Sequence, residues 1–294
     1  MIYKNVRFIP PASWAAVLVL CFLCRANASE IRIVTSFYPV YIATLNVAGN
    51  APEVQVINLT RPFTGCLHDY QLSPDDMKTL ARADIFIING AGMEAFLDKA
   101  ARTIRPDRII DASRGIELIR NKNGAVNPHV WLNIALAARQ VRNIAAGLEK
   151  LDPSRAGIYR SNCAEYVKKL EELHARMQAE AGRFKRREIV TFHEAFPYFA
   201  GEFNLRIIGV IEREPGSEPN ARELAETIKL VRKHNARVIC VEPQYPDKSA
   251  RVIADETGAK ICTLDPIVTG PMDKGAYLKI MEANLSALAE NLDD

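Results

Sequence analysis

Apolar positions along the chain fall into two recurring patterns. Short runs rich in β-branched residues occur at Ile31–Ser36, Val54–Leu59, Ile85–Asn89 and Arg108–Asp111, and again at Ile189–Phe192, Arg206–Ile211, Val238–Glu242 and Lys260–Leu264. Longer stretches of helical periodicity separate them. Near-continuous apolar strands alternating with helices predict parallel sheets covered on both faces. The expected fold class is therefore α/β, with two lobes, each a mostly parallel four-stranded sheet with flanking helices.

Between the two sets of strands the pattern changes. From Pro153 to Phe184, Tyr159, Cys163, Tyr166, Leu170, Leu173 and Met177 recur at alternating spacings of four and three, one continuous stripe on a helix face. Neither glycine nor proline interrupts that stripe. Asp152 is the expected N-cap and Pro153 the first helical residue. At 1.5 Å per residue such a helix runs for roughly 45 Å, long enough to pass behind both lobes as a stiff strut. A single packed helix restricts the lobes to small rocking motions, so ligand binding is expected to move loops more than lobes. The division is 1–28 as a leader, 29–152 as the N-terminal lobe, 153–185 as the linker helix and 186–294 as the C-terminal lobe.

The leader reads as a secretory signal peptide. Lys4 and Arg7 precede the apolar stretch Ala15–Cys24, and Ala26-Asn27-Ala28 supplies a small-x-small cleavage site. The apolar stretch is too short for a bilayer span, which takes about 20 residues. A lipoprotein needs a small residue before its acylated cysteine, whereas Leu20 precedes Cys21 and Leu23 precedes Cys24, so a soluble exported protein is expected. Cleavage removes Lys4, Arg7 and Arg25 from the 38 basic residues and takes no acid, so the rest matches the 35 acidic residues. The mature chain is formally neutral, and nothing argues for nucleic acid or an anionic membrane as partner. Cys66, Cys163, Cys240 and Cys262 remain. Export permits disulfides, but four cysteines allow three full pairings. A Cys240–Cys262 bridge is possible, since the two occupy comparable places in neighbouring strands. Small buried core residues are the favoured reading for both.

Of the five histidines in the chain, three sit in strand-end loops. His68 lies in Thr64-Gly65-Cys66-Leu67-His68-Asp69-Tyr70, His129 follows Asn127-Pro128, and His193 follows Thr191-Phe192. Asp265 ends Thr263-Leu264 before Pro266. Loops at the carboxyl ends of strands are where open α/β sheets bind ligands, and neutral imidazoles with one carboxylate make a tetrahedral shell suited to zinc. Two donors come from each lobe, so a metal would bridge the cleft. A lone histidine is more often a hydrogen-bonded structural residue, and that reading is kept for His174, in the strut, and His234, in the last turn of a helix. Cys66 and Asp69 rank below the four as ligands. Asp69 fits a local turn, and Glu194 or Glu242 fits orientation of an imidazole N–H. Tyr70, Trp131, Phe196 and Tyr198 fit cleft lining or core.

The chain resembles the substrate-binding proteins of bacterial zinc and manganese ABC transporters, the ZnuA/TroA-like group, over its whole mature length. The resemblance is carried by His68-Asp69-Tyr70-Gln71-Leu72-Ser73-Pro74, Ala83-Asp84, Asn89-Gly90, Asn127-Pro128-His129-Val130-Trp131-Leu132, His193-Glu194-Ala195-Phe196-Pro197-Tyr198-Phe199, Glu214-Pro215-Gly216-Ser217-Glu218-Pro219 and Leu264-Asp265-Pro266. It implies two α/β lobes joined by one long helix and a metal held by His68, His129, His193 and Asp265. It also implies extracytoplasmic capture of the ion, as transported ligand, and delivery to a membrane permease. Manganese-preferring members often carry glutamate where this chain has His193, and three nitrogen donors favour Zn2+ over Mn2+. Many zinc members have a histidine-rich loop between the first two ligands, in whose place this chain has only Arg120 to Val126.

A monomer without enzymatic activity is expected. The rival from another class is a zinc-dependent hydrolase, which needs an open coordination position and a general base, for which Glu194 or Glu242 could be proposed. A surface adhesin or a binder of a larger ligand on the same scaffold is a further rival.

Overall fold

The computed structural model describes residues 30–60, 67, 70–96, 104–121, 124–212 and 218–293. The leader, Cys66, His68 and Asp69 lie outside the described residues. Eight strands form two four-stranded sheets. The first contains β1 (Ile31–Thr35), β2 (Val54–Asn58), β3 (Ile85–Ile88) and β4 (Ile109–Asp111), in the order β2-β1-β3-β4. The second contains β5 (Glu188–Thr191), β6 (Arg206–Val210), β7 (Val238–Val241) and β8 (Lys260–Thr263), in the order β6-β5-β7-β8. Every pairing is parallel. The β-branched runs thus form the eight expected strands.

The helices that cover the sheets start where local chemistry sets them. Helix α1 (Tyr38–Ala48) follows β1, and α2 (Pro74–Ala81) begins at Ser73, whose hydroxyl accepts from Asp76 N–H while Asp76 reaches back to the Ser73 N–H. Helix α3 (Ile134–Leu151) starts at Asn133, whose side chain accepts from Leu136 N–H. In the second lobe α5 (Pro197–Glu202), α6 (Ala221–His234), α7 (Lys248–Thr257) and α8 (Ala276–Leu292) follow the linker helix α4 (Ala156–Ala181). His234 closes the last turn of α6 beside Arg232 and Lys233, at the end where positive charge is favoured.

The linker helix departs from expectation at its start. Pro153–Arg155 forms a 3-10 turn, and α4 begins at Ala156. Asp152 does not cap the helix. Its carboxylate is drawn inward instead, accepting from Arg155 Nη1 at 3.0 Å and from the Tyr159 hydroxyl at 2.7 Å, while Arg155 Nε donates to the Pro52 carbonyl at 2.7 Å. A buried guanidinium with a carboxylate within reach outcompetes a single backbone N–H for it. The 26 residues of α4 span about 39 Å. Tyr159, Tyr166, Leu170, Leu173 and Met177 are buried along it, as the stripe predicts, and each fully buried side chain of this size contributes roughly 1.5–3 kcal/mol. The stripe packs on α1, α3 and α8, so one continuous core runs from Ile33 and Phe86 in the first sheet to Ile189, Val238 and Cys262 in the second.

The second sheet sorts its side chains by the two-residue period of a strand. Ile189, Val238, Cys240 and Cys262 face the shared core, and Val190, Ile239 and Val241 face a separate cluster under α6 and α7 with Val231, Ala250 and Ile253. Arg120 and Val126 pair in an isolated antiparallel bridge.

At the end of β3 the chain turns at Gly90, where φ is +77° and an added Cβ would lie 2.0 Å from Asp111 Oδ1. Both the left-handed backbone and the close approach exclude a side chain. Gly90→Ala is expected to destabilise the protein by about 1–3 kcal/mol, read as a lower midpoint of urea unfolding; an unchanged midpoint would contradict this.

Candidate metal centre

The strands of the second sheet deliver three polar residues to one edge: His193 two residues past β5, Glu242 immediately past β7 and Asp265 two residues past β8. His129 comes from the first lobe, at the entrance to a 3-10 turn, Val130–Leu132, that leads into α3. The two imidazoles are buried, at 2 % and 1 % exposure, and their ring centroids are 5.4 Å apart at an interplanar angle of 70°. Imidazoles from opposite lobes therefore meet in one place.

Hydrogen bonds set which nitrogen each ring presents. Asn127 Nδ2 donates to the Glu194 carbonyl at 2.7 Å, which turns the amide oxygen toward His129. That oxygen lies 3.0 Å from His129 N and 2.9 Å from His129 Nδ1. An amide oxygen only accepts, so Nδ1 carries the proton and Nε2 is left basic. His193 follows the same logic with a stronger partner. Its Nδ1–H donates to Glu242 Oε1, and the other Glu242 oxygen accepts from Gln244 Nε2 at 2.9 Å. His193 Nε2 is buried with no hydrogen-bond partner among the described residues. A buried polar atom in that state costs about 1–3 kcal/mol, which a cation at the nitrogen would offset.

Asp265 is half-buried and held from several directions. Its Oδ1 accepts from Ile267 N–H at 2.7 Å, and its backbone is clasped by Asn284, which accepts from Asp265 N–H and donates to Asp265 O, both at 2.8 Å. Ile267 itself is left-handed, φ +59°, a conformation strained for a β-branched residue. Burial pushes the Asp265 carboxyl up to about 6; the Ile267 N–H opposes this and the nearby Glu242 charge adds to it. Glu242 thus binds His193 and acts electrostatically on Asp265.

The four expected ligands stand as follows. His129 and His193 are brought together, and Asp265 lies at the same sheet edge, on the far side of Glu242's strand. Among the described residues no three metal-ligating side chains gather closely enough to hold an ion, and His68 lies outside them. Of the two candidates for orienting an imidazole N–H, Glu242 does so, whereas Glu194 is exposed and contributes its carbonyl. His174 stays structural, 3.2 Å from Glu202 Oε1 on the surface of α4. Trp131, Phe196 and Tyr198 are buried, and Tyr70 donates to Asp76 Oδ2 at 2.8 Å.

Sequence reasoning missed the connecting residues. Asn127 shows in the sequence only as the residue before a proline, although a short amide two positions ahead of a histidine is a signal that its oxygen reaches that residue's N–H. Glu202 caps α3 from the other lobe, accepting from Ile134 N–H at 2.8 Å and Ala135 N–H at 3.1 Å, and burial raises its carboxyl to about 7. Trp131 Nε1 donates to the Pro266 carbonyl at 2.8 Å, and the Tyr277 hydroxyl donates to the Trp131 carbonyl at 2.7 Å. No local pattern announces such cross-lobe bonds.

Two parallel lobes on one rigid helix, with oriented imidazoles meeting between them, define a cleft-type ligand-binding protein. Residues 33–291 match the family described as zinc-uptake complex component A periplasmic, and the chain belongs to that family. It is similar to the high-affinity zinc uptake system protein ZnuA of Bacillus subtilis, 31% identical over 314 residues that cover 95% of this chain and 98% of that one. Similarity to the zinc-binding protein AdcA of Streptococcus pyogenes is 30% over 90% of this chain, which spans only 56% of that longer protein. Among solved structures, that of the substrate-binding protein FpvC of Pseudomonas aeruginosa in complex with Mn2+ superposes with a TM-score of 0.80 at 28% identity, covering 90% of this chain and 99% of that one.

The hydrogen bonds above predict that both imidazoles, when neutral, are Nδ1–H tautomers in metal-free protein. Nitrogen-15 spectra of histidine-labelled protein should show this, and Asn127→Ala should mix the tautomers of His129 while leaving those of His193. Mixed tautomers for both rings in the unsubstituted protein would refute the assignment.

Proposed function

We propose that this chain captures a divalent transition metal, zinc, in the cleft between its lobes outside the cytoplasm and delivers it to the permease of an ABC transporter. The observation that carries this reading is His193 Nε2, buried and without a hydrogen-bond partner among the described residues, with Nδ1 on the far side of the ring held by the Glu242 carboxylate. His129 from the other lobe faces it. The proposed ligands are His68, His129, His193 and Asp265, three nitrogens and one oxygen, a set that favours zinc over the harder manganese. The ion is cargo, and no chemistry on it is needed. The Mn2+ complex of FpvC favours manganese as the second reading.

A hydrolase would need a free general base. Glu242 already accepts from His193 and Gln244, and the Glu194 side chain is turned to solvent. The chain is proposed to act as an exported monomer released by signal-peptide cleavage, with residues 29–152, 153–185 and 186–294 as lobe, linker and lobe. No helix among the described residues is long and apolar enough to cross a membrane.

Metal analysis of protein purified without added metal, followed by competitive titration with zinc and manganese, tests the reading. One zinc per chain, held more tightly than manganese, is expected, without turnover of ester or peptide substrates. His129→Ala and His193→Ala should abolish tight binding, Glu242→Gln should weaken it by about 10–100-fold, and His174→Ala should leave it unchanged. Equal effects at all four positions would sink the assignment.

Protons compete with the ion at both kinds of donor. The Asp265 carboxyl takes up a proton at about 6, so affinity should be full above pH 7 and fall steeply as pH drops through 6. A dissociation constant constant from pH 7.5 to 5 would contradict a histidine and carboxylate site.

A further inference from the structure

Cys240 on β7 and Cys262 on β8 are register partners in adjacent parallel strands, with their sulfurs 3.4 Å apart on the inner face of the second sheet. Both are buried, at 1 % and 6 % exposure, and both are free thiols. We propose that this pair is an oxidation site, closing into a disulfide as the exported chain folds. Neighbouring strands lie about 4.7–4.9 Å apart, inside the roughly 4.4–6.8 Å that a disulfide spans between Cα atoms. Bringing the sulfurs from 3.4 Å to the bonded distance of about 2.05 Å takes only small side-chain rotations, with no strand moved. Cys163, the remaining described cysteine, lies on α4 with its sulfur against the Val141 carbonyl, outside this pairing.

The chemistry is thiol–disulfide exchange with a disulfide oxidant, small-molecule or protein-borne. One cysteine thiolate attacks the oxidant, forming a mixed disulfide and expelling one thiolate. The second cysteine then attacks the mixed disulfide and expels the other. The two cysteines lose two protons and two electrons, and the oxidant is reduced to two thiols. In the finished sheet the neighbouring Cys262 thiol and burial both hold the Cys240 thiol protonated. Attack needs the thiolate and access to the oxidant. The bond therefore forms while β7 and β8 are pairing and is thereafter shielded from reductants. It staples together the two strands that lead into Glu242 and Asp265.

The inference rests on the proposed extracytoplasmic location for its setting, and the test separates the two. Mature chain carrying Cys66→Ser and Cys163→Ser is unfolded with reductant and refolded in a mixture of reduced and oxidised glutathione. It is then alkylated under denaturing conditions and mapped by peptide mass spectrometry. The expected result is one cross-linked peptide pair joining Cys240 to Cys262, lighter than the reduced pair by two hydrogens, and a higher urea midpoint than the same protein refolded in reductant alone. Cys240→Ala should lower the midpoint to that of the reduced protein. Should that variant fail to fold, the peptide map of the parent still decides. Both cysteines alkylated after refolding with glutathione would overturn the proposal. Full-length protein recovered from an exporting cell gives the second arm: the same cross-link there supports the pair and the export, whereas free thiols in that arm alone count against the export and leave the pair's chemistry standing.

Discussion

One asparagine amide ties together the two loops on which the candidate centre depends. Asn127 spends its donor on the Glu194 carbonyl, next to His193 in the other lobe, and its acceptor on His129. A side chain with a donor at one corner and an acceptor at the other can satisfy both only in one orientation, so the rotation of the His129 ring and the separation of the lobes are set by the same group. The charge-assisted contact of Glu242 with His193 completes the arrangement from the opposite side. Each imidazole is thereby held in one orientation by the fold itself.

The same economy of buried polar groups runs along the seam. Trp131 and Tyr277 satisfy carbonyls of the facing lobe, Tyr198 donates to the Asn127 carbonyl and accepts from Ile119 N–H, and Glu202 closes the open N-terminus of α3. In a dry interface each such bond is expensive to leave unmade. Sliding one lobe against the other would break several at once, and the continuous apolar core beneath them adds to the resistance.

Architecture was legible in the sequence because it is written in local periodicity. Eight β-rich runs became eight strands, ending one residue earlier than the runs do in nearly every case. The stripe from Tyr159 to Met177 gave the strut. Asp152 misled because its position fits a cap, while its partner Arg155 is buried only by the tertiary fold. The histidines could be singled out by their place after strands, and the family resemblance assigned them a role. What pairs with what was not legible: Asn127 with Glu194 and Glu242 with His193 are separated by 67 and 49 residues, and such meetings follow from sheet order.

The linker helix carries one more consequence. Because the buried stripe of α4 packs on α1 and α3 of the first lobe and on α8 of the second, the gap between the lobes has a built-in width. A gauge of fixed width discriminates by the radius and geometry of what it admits, and it cannot lower its grip by swinging apart. Unloading then has to be imposed locally, by whatever can pull a single loop or turn one ring at the mouth of the cleft, and that requirement falls on the surface that receives the cargo.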